Sequence, residues 1–499
     1  MRKNERLPDT QATRQGQFKA RNVGDHRLAP AGTKDLSRQH HQTAGVGRRG
    51  RRRVVLVALP WMRDGHHQPM PLGHASILAR LQTEPTLDVR SIIRPVNDSS
   101  FNAETVAKEV TSLTHELRPQ DVDVAIGAYV WNDNAVRNII RLLRGEGFKG
   151  RIILGGPQIT YAGPGLETLY PGVDAFVRGF GEQTLAAVAG MENQSAIKGV
   201  HFAGEPDRLE LSEPMLTDLP SPWLNGVINP AGMSSVHWET QRGCQFRCSF
   251  CQHRQRIASA PIPTGSPERL SQEISLLCRT SPKRISILDP VFNSNETRAS
   301  KILQQFIAHG FTGEVSLQCR AELIDLRNPA FLDAAERLNV TLEFGLQSIV
   351  AREFLAIGRP NNLPKVEAVL AEVRRRKIRH EVSLIYGLPE QTLESFRANV
   401  EWCLRRRIPT IRAFPLLLLR GTPLAEEGDR WGLRVQDALL PFVTASNTFD
   451  DAAWQEMDAI ANALTVTEGA HPDSVAKLPL HSEGVSAEFT SPLRSLGRL

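Results

Sequence analysis

The first 243 residues contain no cysteine, and the whole chain of 499 has only six. A disulfide framework is not indicated, and the redox setting implied is the reducing cytosol, so a cytoplasmic location is expected. No apolar run approaches the roughly 18 residues that span a bilayer. The longest candidate, Phe414–Leu419, is a strand's worth. No Gly-x-Gly-x-x-Gly follows the first strand-like run, which argues against a nicotinamide or flavin dinucleotide. A basic surface is missing too, once the beginning of the chain is set aside. Residues 1–53 carry 14 Lys/Arg against 4 Asp/Glu, leaving 46 basic and 50 acidic residues in the body. The net charge of +6 therefore does not indicate a nucleic-acid groove. Residues 1–52 are polar, without apolar periodicity or a signal-peptide core, and read as a disordered basic tail.

The cysteines that are present are concentrated. Cys244, Cys248 and Cys251 lie in Glu-Thr-Gln-Arg-Gly-Cys-Gln-Phe-Arg-Cys-Ser-Phe-Cys-Gln-His, a spacing that lets one short loop point three thiolates at one metal centre. Thiolates favour iron–sulfur clusters, zinc or copper(I), and a cubane held by three protein sulfurs keeps one iron free for a ligand. The alternative is a closed Cys3His zinc knuckle with His253 as fourth ligand. Cys278, Cys319 and Cys403 are isolated and read as small apolar packing residues, Cys319 being the one to watch because it adjoins Arg320 at a strand end.

After the loop, apolar runs alternate between helical and strand-like periods. Pro267–Cys278 leads to Arg284–Leu288, Thr297–His309 to Glu314–Gln318, Pro329–Leu338 to Thr341–Phe344, Pro364–Arg376 to Glu381–Ile385, and Leu393–Arg406 to Thr410–Leu418. With a strand before Cys244 this gives six parallel strands. A zinc knuckle needs no such scaffold. Before the loop, a second α/β pattern runs through strands Val54–Leu59, Val89–Arg94, Val122–Ala128, Arg151–Leu154 and Val173–Val177, with helices Leu72–Leu81, Ala103–Leu117 and Asn134–Leu143 between them. This is a doubly wound pattern, whose ligands bind at strand carboxyl ends.

The cysteine run, with Phe250 at the aromatic position, resembles the signature of the radical S-adenosylmethionine (SAM) superfamily, Cys-x-x-x-Cys-x-aromatic-Cys. The resemblance implies a partial (β/α)6 barrel, a [4Fe-4S] cluster on the three cysteines, and SAM bound at the open iron and cleaved to a 5′-deoxyadenosyl radical. The strand-end runs carrying Asp289 and Asn293, Arg320 and Glu322, Glu343 to Ser348 with Gln347, and Tyr386 to Thr392 with Gly387 would, by the same resemblance, hold the methionine, ribose and adenine of SAM. Where that superfamily commonly has Gly-Gly-Glu after the second strand, this chain has Asp289-Pro290-Val291. Another group, or Asp289 itself, would then take the SAM amino group.

The order of Pro-Met-Pro-Leu72-Gly73, the Gly155-Gly156 pair and Arg178-Gly179-Phe-Gly-Glu182 resembles the domain that precedes the barrel in the cobalamin-dependent branch. Gly155 and Gly156 would let the chain approach the corrinoid nucleotide tail. Asp64-Gly-His66-His67-Gln nearly matches the cobalt-ligating Asp-x-His-x-x-Gly, but Pro69 occupies the glycine position and cannot take positive φ. His66 and His67 therefore read better as exposed loop histidines than as cobalt ligands.

The expected organisation is a tail over 1–52, a Rossmann-like cobalamin-binding domain over 53–195, a proline-containing linker over 196–235, the radical SAM barrel over 236–425, and a small helical cap and tail over 426–499. Asp450–Leu464 supplies the cap helix, and the final 30 or so residues read as unstructured. Arg420 stands where the resembling enzymes usually have proline, and is either a binder of an acidic substrate group or a surface arginine. The function expected is a cobalamin-dependent radical SAM methyltransferase acting on an unactivated carbon. Its partners would be a small-molecule or peptide substrate and an external electron donor of the flavodoxin or ferredoxin type. A cyclase or rearrangement enzyme on the same architecture, and a non-catalytic cobalamin- or SAM-binding protein, are the alternatives.

Overall fold

The computed structural model describes residues 51–62, 70–190, 196–213, 215–254, 261–436 and 438–480. Of the tail expected over 1–52, residues 1–50 lie outside the described residues and Arg52 already begins the first strand; of the final 30 or so residues read as unstructured, 481–499 lie outside them, whereas Val475–Lys477 forms a 3-10 turn and Leu478 is buried against the core. The Asp64, His66, His67 and Pro69 positions also lie outside the described residues. The described residues fall in one compact unit built on two six-stranded sheets.

The first sheet comprises β1 (Arg52–Ala58), β2 (Leu87–Ile93), β3 (Val122–Gly127), β4 (Arg151–Gly155), β5 (Ala175–Val177) and β6 (Val200–Phe202). Their order is β2-β1-β3-β4-β5-β6, with β1 to β5 parallel and β6 antiparallel to β5. β6 lies in the segment read from sequence as linker; at three residues, Val-His-Phe, it is too short to show a period.

Alternate side chains of β1 serve opposite faces. Val55 and Val57 pack with the helices Ala103–Thr114 and Asp133–Gly145, and Val54 and Leu56 with Leu72–Leu81 and Gly181–Gly190. Both faces are covered, which is why these strands read as continuous apolar runs. The chain reverses its order between β1 and β3, and Asn132 pins that crevice. Its side chain donates to Leu59 O and Gly127 O at 3.1 Å each and accepts from Tyr129 N at 2.7 Å.

The second sheet runs in sequence order through β7 (Ser235–Trp238), β8 (Arg284–Ile287), β9 (Glu314–Cys319), β10 (Val340–Gln347), β11 (Arg379–Tyr386) and β12 (Thr410–Pro415), all parallel. Helices Pro267–Thr280, Glu296–Ala308, Ala330–Arg337, Leu363–Arg375 and Leu393–Arg405 make the connections. Four of them begin on polar N-caps: Ser266, Asn295, Asn362 and Thr392 each accept from a first-turn N–H. The α/β expectation with parallel sheets holds. β10 is longer than Thr341–Phe344, because its last residues keep alternating into the core through Leu346.

Beyond β12, a short antiparallel pair, β13 (Arg434–Val435) and β14 (Val443–Ala445), precedes the helix Asp451–Val466. This end of the chain is therefore a hairpin plus a helix rather than helix alone. Tyr386 of β11 donates to Asp458 at 2.5 Å, fastening the helix to the sheet. Among the described residues, no helix is long and apolar enough to cross a membrane.

Candidate active site

Directly after β7 the chain is gripped before it reaches the first cysteine. Thr240, Gln241 and Arg242 are buried. Thr240 N and Gln241 N donate to Asp289 at 2.7 and 3.1 Å, the Thr240 hydroxyl donates to the same carboxylate, and Arg298 sits 3.9 Å away. Gly243 then turns with φ +89°, a backbone that L side chains rarely adopt.

The loop that follows is sewn to three other parts of the molecule. Ser249 N donates to Ile357 O at 2.9 Å, Leu424 N donates to Ser249 O at 3.0 Å, and Tyr161, just beyond β4 of the first sheet, donates to Gln252 O at 2.5 Å.

The three thiols feel one another. Burial raises the Cys251 thiol to about 11, and Cys248 and Cys244 push it the same way; burial likewise raises Cys244. Arg359 opposes both shifts, and its Nη1 lies 3.7 Å from Cys248 Sγ. Among the described residues no three His, Cys, Asp or Glu side chains converge on the coordination sphere of one ion. A four-iron cube takes three thiolates on three of its irons and leaves the fourth open to a ligand.

A second observation surrounds the same spot. Ser249 Oγ, Gln347 Oε1, Arg359 Nε and Asn361 Oδ1 are buried without a hydrogen-bond partner among the described residues. Each such atom costs roughly 1–3 kcal/mol. Gly345 makes room for two of these side chains: a Cβ there would meet Gln347 Nε2 at 2.8 Å and Arg359 Nη2 at 3.2 Å. Gln347 itself has φ +67°, a strained backbone at the carboxyl end of β10. Orphaned donors and acceptors beside the cysteines suit a polar ligand such as SAM.

Arg320 stacks its guanidinium 3.9 Å over Phe246 of the cysteine loop and pairs with Glu322 at 3.3 Å. Asn293 holds it there, accepting from Arg320 N at 3.0 Å and donating to Arg320 O at 2.9 Å. Phe250 packs against the second core.

Several residues singled out from sequence are occupied elsewhere. Asp289 is wholly buried, and its carboxylate is spent on the chain leading into Cys244 rather than presented to a ligand. Glu343 lies in mid-strand because β10 runs on to Gln347; it accepts from Ser316 and faces Arg284 at 3.6 Å. Ser348 is buried and donates to Glu353 at 2.6 Å. Gly387 has φ +87° and donates its N–H to Gln391 Oε1 at 2.8 Å, a backbone role. Arg420 is half-buried and engaged by protein rather than free: it donates to Gln158 O at 2.9 Å and to Tyr170 at 3.1 Å, tying the segment after β12 to the loops of the first sheet. Cys319 points into the second core.

On the first sheet, Gly155 ends β4 and Gly156 follows at φ +93°, where a Cβ would stand 2.6 Å from Ala128 O. Leu72 and Gly73 open a helix beside the crevice, Gly73 being exposed and near Tyr129. Tyr129 and Trp131 stack at 4.6 Å there. Gly179, at φ +91°, lets the backbone of Ser212 pass. Glu182 is buried and ion-paired with Arg242 at 2.7 Å, so it does not face that crevice as a free acid.

Arg359, Arg242 and the Tyr129–Trp131 pair were not picked out from sequence. The dipeptides Gly358-Arg359 and Arg242-Gly243 carry no periodic signal. An arginine's partner is visible only once the chain has folded.

The family model of the radical SAM superfamily matches residues 238–403. The cobalamin-dependent radical SAM methyltransferase TokK of Streptomyces tokunonensis is 25% identical over 372 residues, covering 68% of this chain and 54% of that protein. The chain thus spans about half the length of this curated relative. Two solved structures share the fold. TsrM of Kitasatospora setae, described as a radical SAM methyltransferase, superposes with a TM-score of 0.61 at 16% identity, covering 78% of this chain and 79% of that one. OxsB, a cobalamin-dependent SAM radical enzyme, gives 0.63 at 13% identity, covering 83% and 67%. Residues 238–403 thus match the radical SAM superfamily, and the chain is similar over about two thirds of its length to a cobalamin-dependent radical SAM methyltransferase.

Proposed function

We propose that the protein is a cobalamin-dependent radical SAM methyltransferase that acts on an unactivated carbon of a small molecule or peptide. The observation that carries this reading is the set of orphaned buried polar atoms, from Ser249, Gln347, Arg359 and Asn361, gathered beside three mutually interacting thiols. Cys244, Cys248 and Cys251 would hold the cluster, Gln347, Asn361 and Arg359 the polar parts of SAM, and the crevice lined by Leu72, Gly73, Gly155 and Gly156 the corrinoid. When bound, these groups supply a carbon radical able to remove a hydrogen atom, and a methyl group to replace it.

The chain's own residues supply placement. Asp289 and Arg298 fix the entry to the cysteine loop, Asn293 fixes Arg320 against Phe246, and Arg359 sets a permanent positive charge next to Cys248. That charge attracts a ligand carboxylate. The contacts of Tyr161 and Arg420 between the two sheets' loops keep the first sheet's crevice and the cysteine loop in one frame.

The test is metal content and turnover of the full chain, prepared anaerobically with cobalamin and a reconstituted cluster, then desalted. Near-stoichiometric cobalt with about four irons, 5′-deoxyadenosine on reduction, and methyl transfer from labelled SAM to a candidate substrate are expected. Iron with 5′-deoxyadenosine but no cobalt would replace the methyltransferase reading by a cobalamin-independent radical reaction. Iron and cobalt without 5′-deoxyadenosine would leave a binding protein.

A further inference from the structure

The stretch leading into Cys244 is held from the other half of the molecule. Arg242, two residues before that cysteine and 6% exposed, donates to Glu182 at 2.7 Å and to Glu239 at 2.9 Å. Its guanidinium also lies 5.0 Å from the Phe180 ring centroid. Glu182 belongs to the helix Gly181–Gly190, and the same oxygen accepts from Ser76 at 2.9 Å. Ser76 sits about one turn into the helix Leu72–Leu81, whose Gly73 lies against the Tyr129 hydroxyl. Tyr129 also feels the charge of Glu182. A continuous polar chain of Ser76, Glu182, Arg242 and Glu239 therefore connects the crevice of the first sheet to the first cysteine.

A stabilising role alone does not account for it. Two charges withdrawn from water gain little net stability, and an apolar pair of the same volume often does as well or better. What an arginine shared between two carboxylates adds is direction, because its planar fork fixes both partners at once.

We propose that Arg242 is a positioning residue which, through Glu182, sets the Cys244–Cys251 loop against the first sheet, so that a ligand in the first sheet's crevice and a cluster on the cysteines are energetically coupled. The identity of that first ligand rests on the cobalamin reading above; the contact itself does not.

The full chain under anaerobic conditions tests both. Hydroxocobalamin affinity is measured with and without the assembled cluster, and hydrogen exchange of residues 239–253 is followed in the cofactor-free chain. In the unaltered protein, cluster assembly tightens hydroxocobalamin binding by about fivefold or more. Glu182→Gln keeps the shape and the Ser76 hydrogen bond while removing the charge. It is expected to bring that factor close to one and to speed exchange in 239–253 more than elsewhere in the chain, with iron content near that of the parent and a lowered melting temperature, since Arg242 keeps Glu239 as its remaining buried countercharge. Arg242→Lys keeps the charge without the fork and should retain part of the factor. An unchanged factor in Glu182→Gln, or unchanged exchange in 239–253, overturns the proposal. Faster exchange in a chain that binds no hydroxocobalamin supports the contact and instead removes the corrinoid reading. Should Glu182→Gln fail to fold, Ser76→Ala, which deletes one hydrogen bond to Glu182, carries the same measurements with a smaller expected fall.

Discussion

The two sheets share a β/α logic and have opposite inner chemistry. β1 is buried without a break over its last five residues, whereas β10 alternates buried and half-exposed residues along all eight. A sheet with helices on both faces has only its strand ends to offer a ligand. A sheet covered on one face can turn polar side chains to the other, and here that second face carries Arg284, Ser316, Glu343, Glu381 and Arg412. The first sheet is thus a frame with a crevice where strand order reverses, and the second is a frame with a polar interior below the cysteine loop. If that difference is functional, damage to one sheet should remove one cofactor and spare the other.

The sharpest way to break this comparison is Asp289→Ala. It strands the N–H groups of Thr240 and Gln241 and removes the countercharge of Arg298. A cost of about 3–5 kcal/mol is expected, seen as a lower denaturant midpoint, with iron per chain falling while cobalt is retained. Parallel loss of both metals would show that the sheets fail as one. The converse change, Gly156→Ala, puts a Cβ 2.6 Å from Ala128 O at φ +93° and ψ 179°, a region open almost only to glycine. Its expected cost is about 1–3 kcal/mol, with cobalt lost and iron kept. Retained cobalt would mean that this glycine serves only the close approach of β3 and β4.

How much of this was legible beforehand follows from what each feature depends on. The repeating helix and strand units were readable because burial imposes a period on the sequence itself, as in Val54 to Leu59 or in the alternation of Val340, Leu342 and Phe344. Cys244, Cys248 and Cys251 were readable as a set because their spacing is local. Glu182, Asp289 and Arg420 were noticed but their work was not. Each is used by a partner far along the chain: Arg242 for Glu182, Thr240 for Asp289, Gln158 for Arg420. Strand-end position shows that a polar residue can face a ligand. Whether it is already taken by another segment is tertiary information. β6 escaped for another reason, since three residues are too few to carry a pattern.

The smallest expected effect tests the polar interior itself. Glu381 and Glu343 are register partners on adjacent strands, and Arg412, Arg284 and Glu468 face the same space. Burial, then the neighbouring charge of Glu343, raises the Glu381 carboxyl to about 7, against the opposing pull of Arg412 and Arg284. In the unfolded chain the same group ionises near its ordinary value of 4.5. Between those two values the folded state binds more protons than the unfolded one, so stability falls as pH rises from about 4.5 to about 7 and levels off above. Glu381→Gln removes that dependence. Allowing for residual exposure and screening, it should gain about 1–2 kcal/mol at pH 8 relative to the parent and nothing near pH 5. Denaturant unfolding at intervals across this range is the measurement, with iron content as the control. An identical slope in parent and variant would assign the pH dependence to other groups and leave the inner face of the second sheet as inert electrostatically as the apolar first.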